Sequence, residues 1–135
     1  MNAPSPFASS IIVAAGGACG SVLRFQVGRL MTFILGAERA TTFPWATLAV
    51  NISGSLAMGL LAGWLARFGS AGEAWRLLLG VGVLGGFTTF SSFSLELGML
   101  MERGQPSAAM LYAAASLAGG IVALFAGLAV MRTAG

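Results

Sequence analysis

Four long stretches of this chain carry no charge, and their spacing constrains the fold more than any other feature. The first runs from about Ala8 to Leu30 and is uncharged as far as Leu23. The second lies between Arg39 and Arg67, the third between Arg76 and Glu96 with a continuation to Met101, and the fourth between Arg103 and Arg132. An apolar stretch of about 18 residues or more is long enough to cross the hydrocarbon of a bilayer as a helix. The chain therefore reads as one four-helix transmembrane domain over residues 1–135, with spans near 8–30, 44–66, 77–101 and 106–131. Composition agrees: 57% of the 135 residues are hydrophobic and 8% are charged, where a soluble domain carries about 25% charged residues. The predicted class is an all-α membrane protein. So short a chain supplies few helices, and an enclosed pathway would call for a second copy.

Several functions fall away at once. The chain has no histidine and one cysteine, Cys19. No His/Cys metal site, no internal disulfide and no Ser-His-Asp or Cys-His catalytic set can be built from it, so an enzyme is not expected. Cys19, among glycines and alanines, reads as a small packing residue. The seven basic residues are all arginine and stand singly, so no basic stripe marks a nucleic-acid surface. No Lys or Arg precedes the first span, which argues against a secretory signal. Pro44 suits the first turn of the second helix, with Thr42 as its cap. Trp45, Trp64 and Trp75 fall near span ends, as interfacial aromatics do.

The arginines do not choose an orientation. Four spans place Arg67, Arg76 and Arg132 on one membrane face and Arg29, Arg39 and Arg103 on the other, with Arg24 nearer the second. The positive-inside rule needs an imbalance. Without one, the chain is expected to insert both ways, and copies of opposite orientation could pair as an antiparallel dimer. The competing reading is one orientation set by features other than charge. Small residues recur four apart at Gly16 and Gly20, at Asn51, Ser55, Gly59 and Gly63, and at Ala115, Gly119, Ala123 and Gly127. Such stripes let membrane helices approach closely.

Polar residues inside the spans need partners. Asn51 shares a helix face with Thr47 and Ser55. Its amide is either interhelical glue or a donor lining a pathway, because an unpaired amide in hydrocarbon costs about 2–7 kcal/mol. Tyr112 and Ser116 stand four apart on the fourth helix, with Gly120 continuing the line. They make a polar track, or an interfacial tyrosine beside a back-bonded serine. Arg24, late in the first helix, must snorkel or line a wet cavity that draws anions. Glu96 follows Phe93 by three residues and marks where that face reaches water. Glu38, Glu73 and Glu102 fall in predicted loops, so no carboxylate is expected near the middle of the membrane.

The richest stretch is GGFTTFSSFS, Gly85 to Ser94. Paired glycines weaken a helix by about 1 kcal/mol each relative to alanine. A break at Gly85-Gly86 would free backbone carbonyls able to hold a cation and expose a half-helix N-terminus that favours an anion. The hydroxyls of Thr88, Thr89, Ser91, Ser92 and Ser94 could repair the backbone or line a path. Phe90 and Phe93, three apart, are helical neighbours. They are ordinary packing residues, or they turn positive ring edges toward a small anion. A full positive charge in the same place would hold the ion too tightly to release it.

GGFTTFSSFSLE resembles the signature of the Fluc (CrcB) fluoride channels, and the resemblance covers nearly the whole chain. GGACGSVLR is similar to that family's first-helix motif, PWATLAVNISGS to its second-helix motif with a central Asn, and YAAASLAGG to a fourth-helix pattern of some members. The third-helix motif is the specific one; the others support it. The resemblance implies a passive fluoride-selective channel in the cell's inner (plasma) membrane. It implies an antiparallel dual-topology homodimer with two fluoride pathways, a third helix broken mid-span, and a structural sodium ion at the dimer centre. On this chain it implies Phe90 and Phe93 as pathway aromatics, Asn51 as pathway amide, Ser94, Tyr112 and Ser116 as pathway hydroxyls, and Arg24 and Glu96 as vestibule residues. The carbonyls of Gly85 and Thr88 would hold sodium. Gly120 departs from relatives that carry a hydroxyl there, which puts the length of the track in question. Two rival readings stand beside this one: a small dual-topology proton-coupled multidrug exporter, which would need a carboxylate within a span, and a non-transporting membrane assembly subunit.

Overall fold

The computed structural model describes residues 4–67 and 72–133. Helix α1 is Pro6–Leu35. It starts where Ser5 accepts the Ala8 amide at 3.3 Å and Pro6 fills a first-turn position that needs no amide. It ends at Gly36, whose φ of 80° is a conformation that side chains other than glycine's resist. A short helix α2, Ala37–Thr42, follows. Phe43 is extended, and α3 spans Trp45–Leu65 behind Pro44. The expected Thr42 cap is not formed: its hydroxyl donates to the Arg39 carbonyl of α2 at 2.9 Å, and no side chain caps α3.

The third span, Glu73–Glu102, changes character along its length. Helix α4, Glu73–Trp75, leads into a π-helical segment, Arg76–Leu84, and then α5, Gly85–Phe87. Thr88 and Thr89 have extended backbone, at φ −77° and ψ 159°, then φ −152° and ψ 122°. Helix α6, Phe90–Glu102, completes the crossing, and α7, Pro106–Thr133, is the fourth long helix. Four helices among the described residues are thus long and apolar enough to span a membrane. Glu38, Glu73 and Glu102, expected in loops, lie in α2, in the first turn of α4 and at the last position of α6.

The spans pair in an interleaved way. Helix α1 packs on the π segment and α5, and α3 packs along α7. Glycine permits both contacts. A β-carbon on Gly16 would come within 2.5 Å of the Leu78 carbonyl oxygen and 2.9 Å of Gly82 Cα. A β-carbon on Gly59 would overlap the Leu124 carbonyl, and one on Gly127 would sit 2.5 Å from that of Leu56. All three sequence-level stripes are therefore helix contacts. The second half of the third span, α6, leans instead on α7 and α3. There Phe93, Leu100, Ala109 and Tyr112 form the buried cluster, with Phe43, Leu48 and Leu97 packed against it. Cys19 is a free thiol, exposed on α1 in the single chain.

Candidate functional site

The interruption of the third span sits at its middle: in Glu73–Glu102 the midpoint falls between Phe87 and Thr88. It lies two residues beyond the glycine pair expected to cause it. Gly85 is helical at φ −65° and ψ −38°, and Gly86 serves packing, since a β-carbon there would come within 2.5 Å of the Gly17 carbonyl oxygen. What holds the extended pair open is Asn51. Its Oδ1 accepts the Thr89 amide at 2.9 Å, and its Nδ2 donates to the Thr89 carbonyl at 3.1 Å. One side-chain amide thus satisfies both backbone groups of a residue that is 8% exposed. Of the two roles open to Asn51, glue is the one its contacts occupy, and the backbone it binds is the interruption itself.

Thr89 then begins the next helix. Its hydroxyl accepts the Ser92 amide at 3.2 Å and donates to the Ser92 hydroxyl at 3.1 Å, an N-cap. These two captures have a joint effect. Regular α-helical bonding would send the Thr89 amide to the Gly85 carbonyl and the Ser92 amide to the Thr88 carbonyl. Asn51 takes the first and the Thr89 hydroxyl takes the second. The oxygens of Gly85 and Thr88 are thereby released from their helical donors at mid-span. The Thr88 oxygen is met by the Arg24 guanidinium, 3.5 Å away across the α1 contact. Thr88 itself donates through Oγ1 to the Leu84 carbonyl at 2.8 Å.

A cavity of about 290 Å³ opens beside the interruption, lined by Asn51, Ser55, Thr88, Thr89 and Phe90 together with Gly54, Met58 and Leu124. Phe90 is 75% exposed in the single chain, whereas Phe93 is 8% exposed. Their ring centres lie 5.7 Å apart with planes at 38°, and Phe93 continues to Tyr112 at 5.1 Å. Tyr112 is fully buried, edge-on to Phe43 at 5.6 Å. Its hydroxyl donates to Glu96 Oε2 at 2.7 Å, and Thr47 donates to Glu96 Oε1 at 2.7 Å. One carboxylate thus ties α3, α6 and α7 together. Glu96, expected to mark the water boundary, is half-buried, and its two oxygens face hydroxyl donors rather than a cation. A second cavity of about 180 Å³ runs from Glu96 past Phe43 and Leu100 to Arg103, whose guanidinium donates to the Thr41 carbonyl at 3.2 Å.

The sequence of this geometry has close counterparts. Residues 11–128 match the profile of the family described as CrcB-like protein, Camphor Resistance (CrcB). The chain belongs to the CrcB-like family. Among its relatives, the "Fluoride-specific ion channel FluC" of Novosphingobium aromaticivorans is 57% identical over 124 residues, 92% of this chain and 96% of that protein. The protein of the same description from Erythrobacter litoralis is 52% identical over 133 residues, 98% of each chain. That of Sphingopyxis alaskensis is 54% identical over 120 residues, 89% of this chain and 92% of the relative.

In this member of the CrcB-like family the candidate residues fall into two groups. Asn51, Thr88, Phe90 and Arg24 surround the interruption, with Gly85 one turn before it; Phe93, Glu96 and Tyr112 form the α3–α6–α7 cluster. Ser94 is exposed and its hydroxyl bonds back to the Phe90 carbonyl at 3.0 Å. The Ser116 hydroxyl is buried with no hydrogen-bond partner among the described residues, an orphaned donor at a cost of about 1–3 kcal/mol. Gly120 faces Ser55: a β-carbon there would lie 3.3 Å from the serine Oγ, so a hydroxyl already stands opposite the position where the track lacks one. Backbone repair, one of the two roles the sequence left open for Thr89, is the one its N-cap contacts occupy, whereas the part played by Thr47 was missed. Nothing in the sequence pairs Thr47 with Glu96.

Proposed function

We propose that the chain is a passive, fluoride-selective channel of the cell's inner (plasma) membrane. It acts as an antiparallel homodimer with two pathways and a sodium ion at the dimer centre. The observation that carries the reading is the interruption at Thr88–Thr89 and the donors around it. They are the Asn51 amide, the hydroxyls of Thr88 and Thr89 and the Phe90 ring, with Arg24 the charge nearest among the described residues. Fluoride is small and strongly hydrated, and neutral donors replace its water without binding it too firmly to release. Relatives named as fluoride-specific channels, similar over nearly the whole chain, support the substrate.

The depth of the interruption supports the antiparallel pair. The midpoint is the one depth that two oppositely oriented copies share. The even division of arginines between faces fits insertion both ways. The exposure of Phe90 and Gly85 fits a surface completed by a second copy.

The released carbonyls fit a sodium ion in kind. They are hard, uncharged oxygens, the donors that such cations take. Gly85 and Thr88 would hold it, and a second copy would supply as many again, since two oxygens are too few for such an ion. When bound, the ion would offset the carbonyl dipoles left over by the interruption and join the two chains. Asn51 and Thr89 keep those carbonyls turned from their helical donors.

Fluoride efflux from liposomes containing the purified protein, with valinomycin and potassium to balance charge and chloride as control, tests the proposal. Rapid fluoride release with little chloride movement is expected. No release from folded, dimeric protein would overturn it and bring forward proton-coupled export through Glu96, or a non-transporting assembly role.

A further inference from the structure

Arg24 and a cation address the same oxygen. Helix α1 runs Pro6–Leu35, so its midpoint falls between Gly20 and Ser21, and Arg24 stands about 5 Å along the axis from it. An arginine at that depth does not reach water easily and takes polar partners inside the protein. The partner here is the Thr88 carbonyl, 3.5 Å from Nη1. It is one of the two oxygens that lose their helical donors at the interruption. No carboxylate offsets the guanidinium: the ion pair among the described residues is Arg76 with Glu73, and Glu96 is engaged by Thr47 and Tyr112.

We infer that Arg24 is a positioning residue that competes with the cation for the Thr88 carbonyl, so that cation occupancy and the placement of the arginine charge are linked. The inference rests on the sodium reading above. With the cation absent, the guanidinium satisfies the Thr88 oxygen that the Thr89 cap releases. With the cation present, the two positive charges repel each other at that oxygen, and the guanidinium is displaced toward the cavity beside Asn51 and Phe90. A charge delivered there draws anions. Linkage then requires that an anion held near Arg24 tighten cation binding by the same factor that the cation tightens the anion's.

Removing the arginine charge should therefore strengthen cation binding. Repulsion between unit charges a few ångströms apart, even in partly wet surroundings, corresponds to about tenfold or more in affinity. The experiment follows thermal unfolding of the purified dimer in detergent while sodium replaces N-methyl-D-glucamine at constant ionic strength. Arg24→Gln is expected to lower the sodium concentration for half-maximal stabilisation about tenfold or more, and Arg24→Lys, which keeps the charge, to change it far less. An unchanged midpoint in a folded Arg24→Gln dimer would overturn the competition and leave the sodium site standing. Absence of any sodium dependence in the unaltered protein would overturn both. If Arg24→Gln does not fold, the Arg24 guanidinium ¹⁵N signals of labelled wild-type protein serve instead. They are expected to shift with sodium at the same midpoint as stability, and signals that stay fixed while stability changes would refute the competition.

Discussion

Replacing Asn51 by alanine tests the account of the interruption most directly. The substitution removes an acceptor 2.9 Å from the Thr89 amide and a donor 3.1 Å from its carbonyl. Side-chain hydrogen bonds within membranes average about 0.6 kcal/mol and reach about 1.7, so two lost bonds alone amount to roughly 1–3 kcal/mol. Leaving a buried amide without any partner adds about 1–3 kcal/mol. Thr89 is 8% exposed, so water does not readily repair the loss. The amide has one alternative nearby, the Gly85 carbonyl, and reaching it means closing the extended pair into helix. Either the chain loses about 2–6 kcal/mol or it recovers part of that by abolishing the interruption, and fluoride flux fails in both cases. Equilibrium unfolding of the dimer in mixed micelles measures the first quantity, and liposome efflux the second. A destabilisation below about 0.5 kcal/mol together with normal flux would refute the reasoning, because Asn51 would then neither hold the backbone nor line the path.

Other perturbations separate packing from transport. Phe90→Ile and Phe93→Ile keep apolar bulk but remove the ring edges. Both are expected to impair efflux while size-exclusion chromatography still shows the dimer, and unchanged flux in both would return the pair to ordinary packing. Phe93→Ile should cost about 1 kcal/mol more stability than Phe90→Ile, because it also loses the ring contact with Tyr112. Gly59→Leu drives a side chain into the Leu124 carbonyl and should abolish the folded dimer, whereas Gly28→Ala meets nothing within 4 Å and should leave expression and melting unchanged. A C-terminal tag should be reachable from both sides of sealed vesicles in comparable amounts. Two arginines added beside Arg103 should shift that ratio strongly to one side; a tag reachable from one side only in the unaltered protein would sink dual insertion.

The four spans were legible because charge is so sparse that every arginine except Arg24 and Arg29, which lie within α1, falls between spans or near their ends. The positions of Asn51, Phe93 and Tyr112 were legible as polar or aromatic groups at depths where they need partners. The partners themselves were not. Gly85-Gly86 announces a break through weak helix propensity, yet propensity measures a cost per residue and says nothing of a compensating contact. The glycines stay helical because α1 presses against Gly86. The chain opens two residues later, where Asn51 from another span bids for the Thr89 amide. Glu96 reads as a helix-end charge by its sequence position, and only the approach of α3 and α7 brings two hydroxyls to it. The π-helical turns of Arg76–Leu84 likewise lie beyond a reading that assumes one helical period.

The interleaved pairing of spans bears on how such a molecule comes to exist. The first span rests chiefly on the first half of the third, and the second span chiefly on the fourth. No two successive spans make a finished hairpin. As the chain enters the bilayer, the second span can find its main partner only after the last has been made, and the first waits for the third. Chains halted before Pro106 would leave Gly59 and Gly63 of α3 without the surface they meet on α7. Packing of α3 is then a late event, completed only when α7 has been made.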